Sequence, residues 1–162
     1  MTDQNLEQHI LAYTDLLHRI SCSLLRNSQD REDAVQNAIE TAWHKAKWIS
    51  DESKLKPWLT RVMINACYSI LRKKQWETPV ESIAESMVES SDEASMEARI
   101  RRDALGKLPD KQRLPLILHY FEGFSIKETA KTLGVPQGTV LSRMQRGRKK
   151  LKELLSEEQD GG

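Results

Sequence analysis

Two sets of residues in this 162-residue sequence have the types and spacing to hold a polyanion. Arg61, Asn65, Tyr68 or Ser69, and Arg72 recur every three or four positions, joined by Lys73 and Lys74. Cations at helical spacing fit phosphates, and one Asn among them fits a base edge. The second set lies in "GVPQGTVLSRMQRGRKKL", which carries five Lys or Arg residues and no acid. Val140, Met144, Gly147 and Leu151 keep an apolar rhythm there, with Gly147 allowing close helix approach. Roughly opposite lie Leu141, Ser142, Gln145 and Arg146, flanked by Gly138 and Thr139. Small and polar side chains in the first turns are what a helix needs to read bases in a major groove. Arg143, Arg148, Lys149 and Lys150 suit phosphates. For either set the alternative is a merely solvated basic face.

A third set, Asp33, Gln36, Asn37, Glu40 and His44, makes a polar face of modest charge, which by pattern alone reads as a solvated face. Behind a net charge of +1 the ionised residues are unevenly spread. Residues 53–75 hold six bases and no acid, and residues 77–97 hold seven acids and no base. A basic excess returns from residue 98 onward. Two basic blocks around an acidic one predict two polyanion-binding surfaces joined by a spacer that a polyanion repels. Nothing comparable supports catalysis: no Gly loop cradles phosphate, no nucleophile pairs with a base, and the four His, spread over three predicted helices, form no cluster. His18, Cys22 and Cys67 make a poor metal set, since no CxxC or second His pair accompanies them. Neither metal nor cofactor is expected. Both cysteines sit in apolar patterns, as reduced, buried thiols of a cytoplasmic protein do. No signal peptide opens the chain and no apolar run approaches the ~20 residues of a membrane span, so no membrane insertion is expected.

The apolar spacing that must position these residues is helical throughout, which predicts an all-α fold. Leu6, Ile10, Tyr13, Leu17, Ile20 and Leu24 alternate steps of four and three, the stripe of a helix of about 20 residues. After a break at Asn27–Asp30, a second helix is predicted from about Arg31 to Trp48. Asp30 is its expected N-cap, and Val35, Ala38, Ile39, Ala42 and Trp43 its core stripe. The loop "SDESKLKP" leads to a third helix, with Pro57 in its first turn and Leu59, Val62, Ala66 and Ile70 buried. Residues 76–95 have the acidic, apolar-poor composition of a flexible linker. Extended, such a linker reaches about 65–70 Å, the length of about 20 base pairs. A second helical unit follows, with Met96, Ile100, Ala104 and Leu108 on a stripe that Pro109 ends. Leu114, Ile117, Leu118 and Phe121 carry the next helix up to "EGFS". Ser125 and Glu128 form a capping box before a short helix with Ala130 and Leu133 inward. Gly134 supplies the left-handed turn and Pro136 starts the basic helix. A short helix, a tight turn and a longer basic helix make a helix-turn-helix, which a charged surface tail does not explain.

Two blocks then resemble one family. "DREDAVQNAIETAW" followed by "KPWLTRVMINACYSILRKK" resembles the core-binding and −10-recognising segments of extracytoplasmic-function (ECF, group 4) sigma factors of the sigma-70 family. "LPDKQRLPLILHYFEGFSIKETAKTLGVPQGTVLSRMQRGRKKL" resembles their −35-binding domain. The resemblance covers nearly the whole chain, in the right order. It implies an alternative sigma factor that binds core RNA polymerase, recognises −10 and −35 promoter elements and promotes open-complex formation. A stress or envelope regulon and restraint by an anti-sigma factor are implied with it. The implied domains are a region-2 domain at 1–75, the linker at 76–95, a region-4 helix-turn-helix domain at 96–157 and a disordered tail at 158–162.

The resemblance also implies roles. Asp33, Gln36, Asn37 and Glu40 would dock on the β′ clamp helices of the polymerase, with Trp43 anchoring that helix from inside; the β flap is a further polymerase partner. Asn65 falls where the family has its base-contacting Asn, and the loop Ser50–Lys56 would cradle an extruded −10 base. Arg61, Arg72 and Lys73 would hold the −10 backbone, and Ser69 belongs to the same −10 surface. Gly138, Thr139, Leu141, Ser142, Arg143, Gln145, Arg146 and Lys149 form the implied −35 surface, read chiefly by Ser142, Gln145 and Arg146. Asn37 stands where an acid is usual, Gly147 where Ala is usual, and Leu141 where a polar or basic residue is frequent. The competing reading is a dimeric, ligand-responsive helix-turn-helix repressor, which has little need for the bases of 53–75 or for the acidic linker.

Overall fold

The first stripe folds as its spacing predicts. In the computed structural model, which describes residues 3–77 and 103–160, every regular element is helical. Helix α1 spans Asp3–Leu24 and buries Leu6, Ile10, Leu17, Ile20 and Leu24, with Leu16 beside them. Tyr13, expected in that stripe, is half-buried. The Arg31 side chain reaches back across the turn, and its Nε donates to the Leu25 carbonyl at 2.8 Å. A buried guanidinium thus sits where the α1 dipole is negative.

Helix α2, Ser28–Lys45, begins before the expected Arg31 because its cap is Asn27 and not Asp30. Asn27 Oδ1 accepts from the N–H groups of Gln29 and Asp30 at 2.8 and 3.2 Å. Such a cap contributes about 1 kcal/mol. Asp30 lies in the first turn, where its carboxylate meets the helix dipole. The buried residues are Arg31, Ala34, Ala38 and Ala42, while Val35 and Ile39 are only half-buried. Trp43 is 47% exposed, so it does not anchor the helix from inside. A stripe of alanines packs α2 closely against α1 and α3 and leaves no room there for an indole. After Lys45 the chain tightens into a 3₁₀ turn at Ala46–Trp48.

The loop at 50–56 is partly ordered by a second 3₁₀ turn, Glu52–Lys54. Asp51 Oδ1 accepts from the Ser53 N–H at 3.0 Å and from its hydroxyl at 2.8 Å. Helix α3, Leu55–Glu77, then starts before Pro57, whose missing N–H costs nothing in a first turn. Its buried face is Leu55, Leu59, Met63 and Cys67, with Thr60 and Ile64. Val62, Ala66 and Ile70 flank that face half-buried, so the expected stripe is rotated by about one position. Thr60 is tolerated inside because its hydroxyl donates to the Lys56 carbonyl at 2.7 Å.

The chain divides into two units, Met1–Ser90 and Ser91–Gly162. Most of the expected linker, along with Met96 and Ile100, lies outside the described residues. In the second unit Ala104, Leu105 and Leu108 are buried ahead of α4, Asp110–Leu116. Pro115 lies inside α4, and a π turn at Ile117–Phe121 continues it. The wider turn lowers the rotation per residue: Phe121, expected inside, is 55% exposed, and Phe124 is buried in its stead. The His119 ring holds this corner, its Nδ1–H donating to the Phe124 carbonyl at 2.6 Å.

Helix α5, Ile126–Leu133, has the expected capping box in both directions. Glu128 N–H donates to Ser125 Oγ at 2.9 Å, and Ser125 N–H donates to Glu128 Oε1 at 3.2 Å. Ala130 is inward, but Leu133 is half-buried, and Thr129 and Thr132 take the remaining inner positions. Their hydroxyls donate to the carbonyls of Ser125 and Glu128, both at 2.8 Å, so neither is left unpaired. Gly134 adopts the left-handed turn at φ 70°, ψ 35°. Helix α6, Gln137–Asp160, follows Pro136 and runs into the expected tail at 158–162. Val140 and Met144 join Leu105, Leu108, Leu116 and Ala130 in the core, with Ile126, Val135, Leu151 and Leu154 packed around them. No helix among the described residues is long and apolar enough to cross a membrane.

Two changes probe this packing. A Cβ on Gly147 would lie 2.8 Å from Leu116 Cδ1 and 3.3 Å from Gln112 Cβ and O. Gly147→Ala should be nearly neutral, since about 1 kcal/mol of helix propensity offsets the shift of Leu116. Gly147→Leu should cost about 1–3 kcal/mol by overpacking, read as a lowered unfolding midpoint of the second unit. An unchanged midpoint for Gly147→Leu would mean that the approach is not close.

The second concerns the thiols. Cys22 is half-buried, contrary to expectation, with Sγ 3.8 Å from His18 Nε2. Burial, and secondarily Cys22, push the Cys67 thiol up from 9.0 to about 12. The unfolded chain releases this proton first, so the contribution of Cys67 is intact below pH 9.0 and is lost as pH climbs toward about 12. Denaturant unfolding across that range should show a steeper decline for the wild type than for Cys67→Ala. Parallel curves would refute the assignment.

Candidate functional site

Along α3, Arg61, Asn65, Ser69 and Arg72 are all exposed, and Tyr68 is half-buried. At about 100° per residue, the four exposed positions fall within about 80° of one another. That sector lies opposite Leu59, Met63 and Cys67, so the α3 core face presents the four side chains outward. Lys73 is exposed too, but it stands about 100° round the helix from Arg72. That rotation brings it to the seam with α2, where Ser69, Ile70, Lys73 and Lys74 form one wall of a cleft. Asp30, Asp33, Gln36 and Asn37 form the other. Lys74 Nζ makes an ion pair with Asp30 Oδ2 across it, and Gln29 Nε2 donates to Asp33 Oδ1 at 3.0 Å. Two sets that the sequence separates, one expected to meet a protein and one expected to meet DNA, therefore share a boundary.

The polar face of α2 is exposed at Asp33, Gln36, Asn37, Glu40 and His44, opposite the alanine stripe. Trp43 belongs to this face, about 60° from Glu40. Beside it, Val35 and Ile39 line a shallow groove rimmed by His18, Glu32, Gln36 and Glu40. This apolar strip was missed because both residues were expected in the core. At the other end of the unit, Trp48 is 81% exposed next to the loop, and Glu52 Oε1 lies 3.5 Å from His9 Nε2 on α1. Trp48 is another side chain that hydropathy alone does not single out.

On α6, Gly138, Gln145, Arg146 and Lys149 are exposed on the side away from Val140 and Met144, with Thr139 and Ser142 half-buried among them. Leu141 is 51% exposed on one flank, and Arg143 is half-buried on the other. Arg148 is held, its Nη1 donating to Tyr120 Oη at 2.7 Å. Tyr120 and Phe121, both about half-exposed, form an aromatic corner whose signal in the sequence is the Gly after them, Gly123 at φ 72°. Among the described residues no group of three or more His, Cys, Asp or Glu side chains could hold a metal.

Residues 9–77 match Sigma-70 region 2, and residues 98–151 match Sigma-70, region 4. The chain is 34% identical to the ECF RNA polymerase sigma factor SigM of Mycobacterium tuberculosis, over 86% of this chain and 71% of that protein. It is 31% identical to the RNA polymerase sigma-E factor of Streptomyces coelicolor, over 92% and 85%. Among solved structures it resembles the sigma factor RpoE of Bartonella quintana, in complex with the anti-sigma factor NepR, at a TM-score of 0.75 and 31% identity, covering 94% of this chain and 98% of that one. CnrH, solved with the cytosolic domain of CnrY, shares the fold at a TM-score of 0.71 and 23% identity, over 96% and 90%. The chain therefore belongs to the sigma-70 family, and it is an alternative sigma factor of the extracytoplasmic-function group, a transcription initiation factor and not an enzyme.

Proposed function

We propose that this sigma factor docks on core RNA polymerase through the exposed face of α2, opens a −10 element with the exposed face of α3 and the loop before it, and reads a −35 element with α6. Residues 1–75 then act as the region-2 domain and 96–157 as the region-4 domain, joined by the acidic stretch 76–95. The partners are core polymerase, through its β′ clamp helices and β flap, promoter DNA and an anti-sigma factor. The last is supported by RpoE, a relative solved with one. A cytoplasmic location and a stress or envelope regulon follow from the family.

One observation carries the reading: both basic helices turn their cations and amides away from their own cores. Arg61, Asn65 and Arg72 are exposed on α3, as are Gln145, Arg146 and Lys149 on α6. A repressor that reads DNA with one helix leaves the α3 face unexplained. Unstacking a base costs a few kcal/mol, so a melting factor needs contacts that only the single strand offers. Asn65, exposed on the same helix as the end of the 50–56 loop, can make such a contact.

Asn65→Ala should impair open-complex formation on duplex promoter far more than recruitment to a −35 element. Permanganate reactivity of unpaired thymines reads this directly. Melting equal to wild type would reduce Asn65 to a surface residue.

On α6, Arg146 and Lys149 should differ in kind. A bidentate Arg–guanine contact discriminates by about 1–3 kcal/mol, so Arg146→Ala should lose affinity and relax preference at one base pair. Lys149→Ala should weaken all sequences alike and lower the salt dependence by about one counterion. Holoenzyme binding to single-base −35 variants at two salt concentrations separates the two. A common loss factor for both variants would show that α6 grips DNA without reading it.

A further inference from the structure

The cleft between α2 and α3 has opposite charges on facing walls. Asp33 projects from α2, and Lys73 projects from α3. The other charged pair there, Asp30 and Lys74, is spent on itself, with side chains 16% and 26% exposed. Lys73 makes no ion pair among the described residues. Gln36 and Asn37 supply amides on the α2 wall beside Asp33. The cavity is about 590 Å³. Small-molecule pockets of such size are mostly apolar, and this one is lined chiefly by polar and charged side chains. DNA fits it poorly, because Asp30, Asp33 and the Lys74 pair leave only one uncompensated cation, beside an acid that repels phosphate. A protein helix carrying a base and an acid on one face satisfies both walls.

We propose that Lys73 belongs to the polymerase-docking surface: Asp33 and Lys73 are the two poles of a cleft that receives a basic and an acidic side chain from one helix of core RNA polymerase. This rests on the reading that the α2 face docks on the polymerase, and it moves Lys73 from the −10 backbone, where the family resemblance puts it, to the protein interface. Asn37 fits the same arrangement. It is a neutral amide beside Asp33 on the α2 wall, so the second unpaired charge of the cleft comes from the opposite wall, with opposite sign.

The test is a titration of the labelled full-length chain with purified core polymerase, free of DNA. Lys73→Glu should weaken binding at least tenfold and Lys73→Ala by a smaller factor, each with an unchanged helical melting curve. Lys47→Glu, the same charge change outside the cleft, should stay within twofold of wild type. A second arm measures promoter DNA binding by holoenzyme preassembled at saturating polymerase. If both Lys73 variants keep wild-type affinity for the core enzyme and lose DNA affinity, Lys73 holds the DNA backbone and the proposal fails. It also fails if Lys47→Glu weakens core binding as much as Lys73→Glu, because the effect is then net charge alone. Asp33→Ala with Gln36→Ala tests the underlying reading separately. Normal core binding by that double variant would remove the α2 face from docking and the two-pole cleft with it, while a loss seen with the double variant but not with the Lys73 variants would keep the α2 reading and overturn the proposal for Lys73.

Discussion

Ala34, Ala38, Ala42 and Ala46 recur every four residues along α2 and its 3₁₀ extension, and each is completely buried. A methyl group is the largest side chain that lets helix axes approach at the short end of the usual 8–10 Å range. The stripe removes little apolar area from water, so its stabilisation comes largely from close atomic contact along its length. The consequence for the surface is direct. With alanines against α1 and α3, the larger side chains of α2 are turned outward: Val35 and Ile39 to the groove, Trp43 to the polar face. The distance between α2 and α3 also sets the width of the cleft that Asp33 and Lys73 share. In the second unit Gly147 has the same role, where even a methyl group would meet Leu116.

The sequence reveals the features that depend on local chemistry. The capping box at Ser125 and Glu128, the left-handed Gly134 and the four-three spacing of α1 are each written within one turn or one helix face. The exposed faces of α3 and α6 were legible for the same reason, since periodicity places a polar stripe opposite an apolar one. The features that escaped depended on packing between helices. Hydropathy ranks Trp43 above Ala34 as a core residue, and only the proximity of a neighbouring helix reverses that order. Phe121 was displaced by the π turn, which adds a residue to one turn and shifts the phase of the helix face. Thr129 and Thr132 looked like surface residues because their solution, a hydroxyl bonded to its own helix, leaves no trace in a hydropathy pattern.

The placement of Lys73 shows the limit of reading a stripe from spacing. Arg61, Asn65, Ser69 and Lys73 follow one another in steps of four, each about 40° further round, so Lys73 lies about 100° from Arg72 but beside Ser69 at the seam with α2. In sequence it extends a basic run; in the folded unit it faces α2. Successive residues on a helix step about 100° round its axis, so the run Arg72, Lys73 and Lys74 divides once α2 packs beside it: Arg72 stays on the outer face, while Lys73 and Lys74 line the cleft.

That division bears on how tightly each unit can hold DNA. Each phosphate neutralised changes the logarithm of affinity by about 0.9 per tenfold change in salt, so few contacts mean weak binding at physiological salt. With Lys73 turned to the cleft, the α3 face retains Arg61 and Arg72, and α6 exposes Arg146, Arg148, Lys149, Lys150 and Lys152, of which Arg148 is engaged by Tyr120. Neither set reaches the roughly 6–10 phosphates typical of a strong single-site binder. On the proposed reading the two sets, joined on one chain and held by the polymerase, act in one binding event, where linkage raises avidity by about 10²–10⁴ without a new contact. The acidic stretch between them has seven acids in residues 77–97, a charge that repels a polyanion and, on the proposed reading, opposes DNA binding by the free chain. On the proposed reading the near-neutral whole is therefore functional: it keeps the free factor off DNA and makes promoter affinity conditional on the polymerase that holds both units in place.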